Sequence, residues 1–238
     1  MFVSVLLFGA CLQKPVQLSE PLIDVEPYRN TISWDEIEES AAQDMSGFLQ
    51  VNTVNPPGNE KDGALWLAEQ FEREGIPYEI LEYGPNRANF VAKLDADPNL
   101  KSGEKPLCLL SHTDTVTFDE SKWEEGIHPL SGHIDEDGYI WGRGALDMKS
   151  MTVMEMWSMF LLKRNNIPLH RDVYLLAVAD EEVDGSGMQH LVNTYWDFLD
   201  CGQLVNEGGL GLKNMLFDQK QFGTWINSKV EGFCILYA

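Results

Sequence analysis

Four polar signatures stand where strand-like runs stop, and that placement constrains the fold more than any other feature of the chain. Ser111-His112-Thr113-Asp114 closes the apolar run Leu107–Leu110, and Asp180-Glu181-Glu182 closes the run ending at Ala179. Asn206-Glu207-Gly208-Gly209 follows Gln203–Val205, and Ala145-Leu146-Asp147-Met148 follows Tyr139–Trp141 and a glycine loop. Short, continuous apolar runs are the mark of strands buried on both faces. Helical patterns lie between them. A helix-initiating Ser33-Trp34-Asp35-Glu36 opens a helix to about Gln50, and a second runs through Trp66, Leu67 and Phe71 to Gly75. A third spans about Lys149–Lys163, and a fourth starts near Gly185 and reaches about Tyr195. Strands alternating with helices predict an α/β fold: three layers, α/β/α, around a mainly parallel (mixed) sheet. In such folds the site lies beyond the carboxyl ends of the strands, where all four signatures fall.

The residue types define the chemistry that could occur there. On extended backbone His112 and Asp114 face the same way, so an imidazole and the carboxylate that orients it can share one pocket. Asp147 follows Gly142-Arg143-Gly144, where small residues permit close backbone approach, and its two oxygens could bridge two cations. Helix capping would explain it equally well. Adjacent acids such as Glu181 and Glu182 repel each other unless cations or a shared proton compensate. One could bind metal while the other moves a proton, although a lone Glu pair is usually a solvated turn. Glu207 adds a fourth strand-end acid, or else an exposed loop acid.

The charge balance limits the partners. Seventeen basic against 38 acidic residues give a formal charge of −21. Nucleic acid is therefore not an expected partner, since binding it requires basic side chains to neutralise phosphates. Cysteines 11, 108, 201 and 234 show no CxxC pair and no zinc-knuckle or disulfide spacing, and Cys108 and Cys234 read as small core residues. Met1–Ala10 is apolar and runs into Leu7-Phe8-Gly9-Ala10-Cys11, similar to a bacterial lipoprotein signal ending at a lipidated Cys11. A buried N-terminal segment is the other reading, and ten residues cannot span a membrane. Residues 1–11 are accordingly a candidate signal and 12–32 a proline-bearing tether. A periplasmic or membrane-anchored location through Cys11 is expected, with a cytoplasmic one as the alternative.

Taken together, these residues resemble the zinc aminoacylase and carboxypeptidase family, which includes glutamate carboxypeptidase, succinyl-diaminopimelate desuccinylase and acetylornithine deacetylase. Asn55-Pro56-Pro57-Gly58, Arg87-Ala88-Asn89-Phe90-Val91, Ser111–Asp114, Trp141–Lys149, Ala179–Glu182 and Asn206–Gly209 carry the resemblance in order. It implies two divalent metal ions, zinc first, with cobalt or manganese possible. His112 and Glu207 would hold one ion, Asp147 would bridge both, and Glu182 would hold the second. Glu181 would be the general base and Asp114 would steady His112. A hydroxide between the metals would attack the amide or peptide bond of a small-molecule or short-peptide substrate. The resemblance also implies a lid domain and a last histidine ligand after Ala238. Residues 33–238 then read as the N-terminal part of a metallopeptidase catalytic domain, truncated before the lid, with homodimerisation only where that lid is present. The other histidines lie outside the ligand motifs, and His128 and His133, in an acidic loop, read as surface residues. A non-catalytic metal-binding or interaction module, or an inactive fragment, is the alternative.

Overall fold

The computed structural model describes residues 26–29, 32–207, 210–213 and 220–223. Cys11 and Cys234 lie outside these, as do Gly208 and Gly209. The chain divides into two units, Met1–Ser33 and Trp34–Ala238. The described part of the first holds one short helix, α1 (Glu26–Arg29).

The second unit opens with α2 (Trp34–Gln50) and α3 (Glu60–Glu74). Gly75, at φ 64°, ends α3 in the left-handed conformation that costs glycine least. Gly75 N–H then donates to the Glu72 carbonyl and Ile76 N–H to that of Phe71. Next come strands β1 (Tyr78–Gly84), β2 (Arg87–Leu94) and β3 (Leu107–His112). A two-residue hairpin follows, β4 (His133–Ile134) with β5 (Ile140–Trp141), so the Tyr139–Trp141 run lies outside the main sheet. Helix α4 (Lys149–Arg164), strand β6 (Val173–Val178), helix α5 (Ser186–Leu199) and strand β7 (Gln203–Val205) complete the α/β order. Strands β8 (Leu210–Lys213) and β9 (Lys220–Gly223) form a second hairpin.

The main sheet has the order β1-β2-β6-β3-β7. Pairings β1–β2 and β2–β6 are antiparallel, whereas β6–β3 and β3–β7 are parallel, so only β2 runs against the other four. The sheet is thus mixed and mainly parallel in direction. Period-2 alternation assigns its faces. Phe90, Ala92, Leu94, Val173, Leu175 and Ala177 point into a core with α2, α3 and α4. Val91, Cys108, Leu110, Tyr174, Leu176 and Val178 point to the opposite face, against α5 residues Leu191 and Leu199. All six residues of β6 are buried, as a central strand covered on both sides requires.

One expectation about the cysteines fails. Cys108 is bonded to Cys201 in a disulfide that joins positions 93 apart. The pairing depends on β7 lying beside β3 and on Cys201 reaching the α5 face of the sheet, neither of which residue spacing alone reveals.

Candidate metal and active site

The parallel strands deliver His112, Glu181, Glu182 and Glu207 to one end of the sheet, and the loop before α4 adds Asp147. His112 is the last residue of β3 and is buried, at 1% exposure. Its Nδ1 lies 2.9 Å from the Asp114 main-chain carbonyl and 3.4 Å from the Asp114 carboxylate. Donation from Nδ1–H leaves Nε2 with its lone pair facing outward. Asp147 Oδ1 is 3.0 Å from that nitrogen, Glu207 Oε1 3.4 Å and Glu181 Oε2 3.8 Å. Two triads are close enough to share an ion: His112 with Glu181 and Glu207, and His112 with Asp147 and Glu182. His112 belongs to both. The geometry therefore brings the four expected metal donors together with Glu181, the expected base, but does not divide them as the resemblance implies.

The electrostatics match a cation at Nε2. Burial opposes charging His112, but Asp114, Glu207 and Glu181 outweigh it and push its pKa up to about 9. Burial together with neighbouring acids, Asp147 first among them, raises both Glu182 and Glu207, against a lowering by His112. Apart from His112, no cationic side chain among the described residues is bonded to Asp147, Glu181, Glu182 or Glu207. Imidazole nitrogen and carboxylate oxygens at these separations suit divalent ions of the zinc type, so the residues fit the implied metals.

The loops that carry these acids are fixed from below. Asp114 is fully buried, and its Oδ1 and Oδ2 accept the backbone N–H groups of Glu181 (3.0 Å) and Glu182 (3.1 Å). Burial alone would raise the Asp114 pKa, but contacts with His112, Asn55 and the Glu181 amide hold it low. Asp147 does not cap α4, whose first turn has no side-chain cap. Ahead of Asp147, Gly144 sits at φ 87°, and a Cβ there would lie 2.5 Å from Thr115 Cγ2, so only glycine fits. Behind Asp147, Lys149 is fully buried and donates to the carbonyls of Phe48 (3.0 Å) and Val51 (2.7 Å) at the end of α2. Positive charge at a helix C-terminus is favourable there, while burial pushes the Lys149 pKa down to about 7. His128 and His133 are exposed, as expected from the sequence, and neither belongs to a metal-holding group among the described residues.

In the sequence Asn55 and Arg87 stand only within stretches that carry the family resemblance, with no role in the site assigned to either. Asn55 Nδ2 donates to Asp114 (2.9 Å) and Asp180 (2.7 Å), and Arg87 bonds Asp180, Asn55, Glu60 and the Pro57 carbonyl. Two features of the chain signalled that role, an arginine opening an apolar strand and Gly58 behind two prolines.

This arrangement defines a class: an α/β domain with an imidazole–carboxylate cluster of metal-centre type at the carboxyl end of its sheet. Comparison with known proteins narrows it. Residues 108–217 match peptidase family M20/M25/M40. Aminoacylase-1 of Dictyostelium discoideum is 30% identical over 164 residues, covering 68% of this chain and 39% of that protein. Acetylornithine deacetylase of Vibrio atlanticus is 35% identical over 135 residues, covering 56% of this chain and 32% of that one. The M20 metallo-carboxypeptidase Sso-CP2 of Sulfolobus solfataricus has the same fold, with a TM-score of 0.61 over 73% of this chain and 38% of that one, at 24% identity. The chain belongs to peptidase family M20/M25/M40. It spans about two fifths of the length of curated relatives such as aminoacylase-1.

Proposed function

We propose that the protein hydrolyses an amide or peptide bond in an N-acyl amino acid or short peptide, using two divalent ions, zinc first. The observation that carries this reading is the convergence of His112, Asp147, Glu181, Glu182 and Glu207 at one sheet end, without a lysine or arginine among the described residues bonded to them. The substrate class is taken from relatives named as an aminoacylase and a deacetylase.

In this reading His112, Asp147 and Glu207 would hold one ion, and Asp147 and Glu182 the other. Asp114 keeps Nδ1 of His112 protonated, so that Nε2 is free to bind. The ions, when bound, polarise the amide carbonyl and lower the pKa of water. Glu181, half-exposed at the cluster's mouth, takes a proton from the attacking water. As the C–O bond forms and the C–N bond breaks, Glu181 returns that proton to the leaving amine nitrogen. Asp114 holds the Glu181 amide and keeps its carboxylate over the cluster.

The test is a hydrolysis screen of N-acyl amino acids and dipeptides with zinc, cobalt or manganese, following release of free amine. Metal-dependent release that a chelator abolishes is expected. Stoichiometric metal binding without hydrolysis of any member would replace this reading with a non-catalytic metal-binding module.

A further inference from the structure

Beside the candidate metal cluster lies a second group of acids, Glu60, Asp114 and Asp180, all buried and mutually within ligand distance. Three buried carboxylates would repel one another strongly unless cations or donors answered them. Here the protein supplies both. The Arg87 guanidinium bonds Glu60 and, at 3.1 Å, Asp180, while its other terminal nitrogen donates to Asn55 Oδ1 (3.1 Å) and the Pro57 carbonyl (3.0 Å). Asn55 then turns its amide to Asp114 and Asp180 at once. Gly58, at φ 81°, makes room for this, since a Cβ there would collide with Arg87 Cζ. Arg87 thus occupies the place where a cation would otherwise bind.

What lies beyond the two carboxylates gives the group its purpose. Asp114 ends on the main-chain amides of Glu181 and Glu182, and Asp180 is the residue directly before them. Asp180 takes φ 63°, a left-handed conformation that aspartate tolerates, and its side chain accepts from Ser186 at the start of α5. The Glu181–Glu182 peptide is therefore gripped from beneath by Asp114 and from its N-terminal side by Asp180, and Arg87 and Asn55 lock the two grips together.

We propose that Asn55 and Arg87 are positioning residues that set the Glu181–Glu182 peptide against His112, acting through Asp114 and Asp180. The catalytic meaning of that position rests on the function proposed above, but the positioning itself does not. A guanidinium fork fixes direction in a way that an ammonium cannot, so the choice of Arg matters as well as its charge.

The test compares Arg87→Met, Arg87→Lys and Asn55→Ala with a control, Arg164→Met. Arg164 also pairs with a carboxylate, Glu74, at 2.6 Å and lies over Trp157, but neither partner belongs to either acid cluster. The first readout is amide hydrogen exchange of the metal-free, full-length chain by NMR. In folded Arg87→Met and Asn55→Ala, exchange at Glu181 and Glu182 should quicken more than tenfold beyond any change at Leu175 in β6, with Arg87→Lys intermediate. Arg164→Met should shift protection without singling out these two amides. The second readout is titration with cobalt(II) alone, followed by visible absorption, where a loss of roughly ten- to a hundredfold in affinity and an altered spectrum are expected for Arg87→Met. If Arg87→Met unfolds, Arg87→Lys decides by the same two readouts. Uniform exchange changes across the sheet, with cobalt affinity and spectrum unchanged, would reduce the pair to a structural staple and overturn the proposal. Variants that show the exchange pattern, with a wild-type chain that hydrolyses no amide, would overturn the proposed function and leave this inference standing.

Discussion

The two acid clusters at the carboxyl end of the sheet contain the same kinds of residue in opposite states. In the closed one, two of the three acids, Asp114 and Asp180, are held below the usual carboxylate range because Asn55, Ser186, Arg87, His112 and backbone amides outweigh the effect of burial, while burial lifts the third, Glu60, to about 7 even with Arg87 beside it. In the open one, burial and like charges raise Glu182 and Glu207, and only His112 opposes them. The closed cluster is built on Arg87 and functions as framework. Among the described residues no lysine or arginine is bonded to the open cluster, and its carboxylates Asp147, Glu181 and Glu207 are partly exposed, which are the conditions for binding a cation from solution. Carboxylate count does not separate the two; the partners of each oxygen do.

The largest expected effect lies in the open cluster. Glu181→Gln should lower turnover on the order of 10²- to 10⁴-fold, the usual cost of losing a general acid–base group. Metal content and melting temperature should stay close to wild type, because the Glu181 side chain is half-exposed and its amide, which Asp114 holds, is retained. Turnover and metal content measured on one preparation check this. A variant with normal turnover would assign the proton transfer elsewhere.

Asp180→Ala makes the matching change in the closed cluster and should act on stability. It removes one acceptor each from Arg87, Asn55 and Ser186, and takes from the Arg87 guanidinium one of its two buried carboxylates, leaving Glu60. Breaking a buried ion pair from one side costs about 3–5 kcal/mol. Chemical denaturation should show that loss, and a cost below about 1 kcal/mol, the range of an exposed ion pair, would erase the distinction between the clusters.

How far the sequence revealed these clusters depended on the distance over which each was assembled. His112, Glu181 and Glu182 were legible because each directly follows an apolar run, so a local pattern carries both the strand and its acid. Helices α2, α3 and α4 were legible through their 3.6-residue pattern, and the three-layer fold through the alternation of helices and strands. The closed cluster was not legible. Its bonds join Asn55 to Asp180 and Arg87 to Asp180, positions far apart in the chain that meet through the β2–β6 pairing and the Val54–Thr115 bridge. The Cys108–Cys201 bond was missed for the same reason, and Lys149 because its partners are backbone carbonyls that no side-chain motif announces.

That disulfide separates one member of the open cluster from the rest. Glu207 follows β7, a three-residue edge strand, and Cys201 ties the approach to that strand to β3. Cys108→Ser with Cys201→Ser should cost about 2–5 kcal/mol, the usual range for a native disulfide. Zinc affinity, measured on the folded variant, should fall more than Glu181–Glu182 protection does, because the bond lies on Glu207's side of the sheet. Equal losses would mean that the open cluster moves as one piece.

The smallest effect concerns an acid that belongs to neither cluster. Glu155 on α4 is 5% exposed, neither of its oxygens has a hydrogen-bond partner among the described residues, and burial pushes its carboxyl up to about 8 against a smaller opposing effect from Ser111. Its folded pKa is raised above the unfolded value, so its contribution to stability is present below about pH 4.5 and is lost as pH rises through about 8. Over that window the folded chain keeps a proton that the unfolded chain has released. Glu60, raised to about 7 chiefly by burial, adds the same sign of slope. Melting temperature should therefore decline as pH rises from about 5 to 8.5. Glu155→Gln should flatten the decline and melt a few degrees higher than wild type at pH 8.5, since about 1 kcal/mol corresponds to 2–4 °C in a domain of this size. At pH 5, where Glu155 is protonated in the fold, the two proteins should melt alike. A flat wild-type profile would mean that Glu155 finds in solution a partner as effective as the one Asp114 has in Asn55, and the acids of this chain would then divide by access to a donor alone.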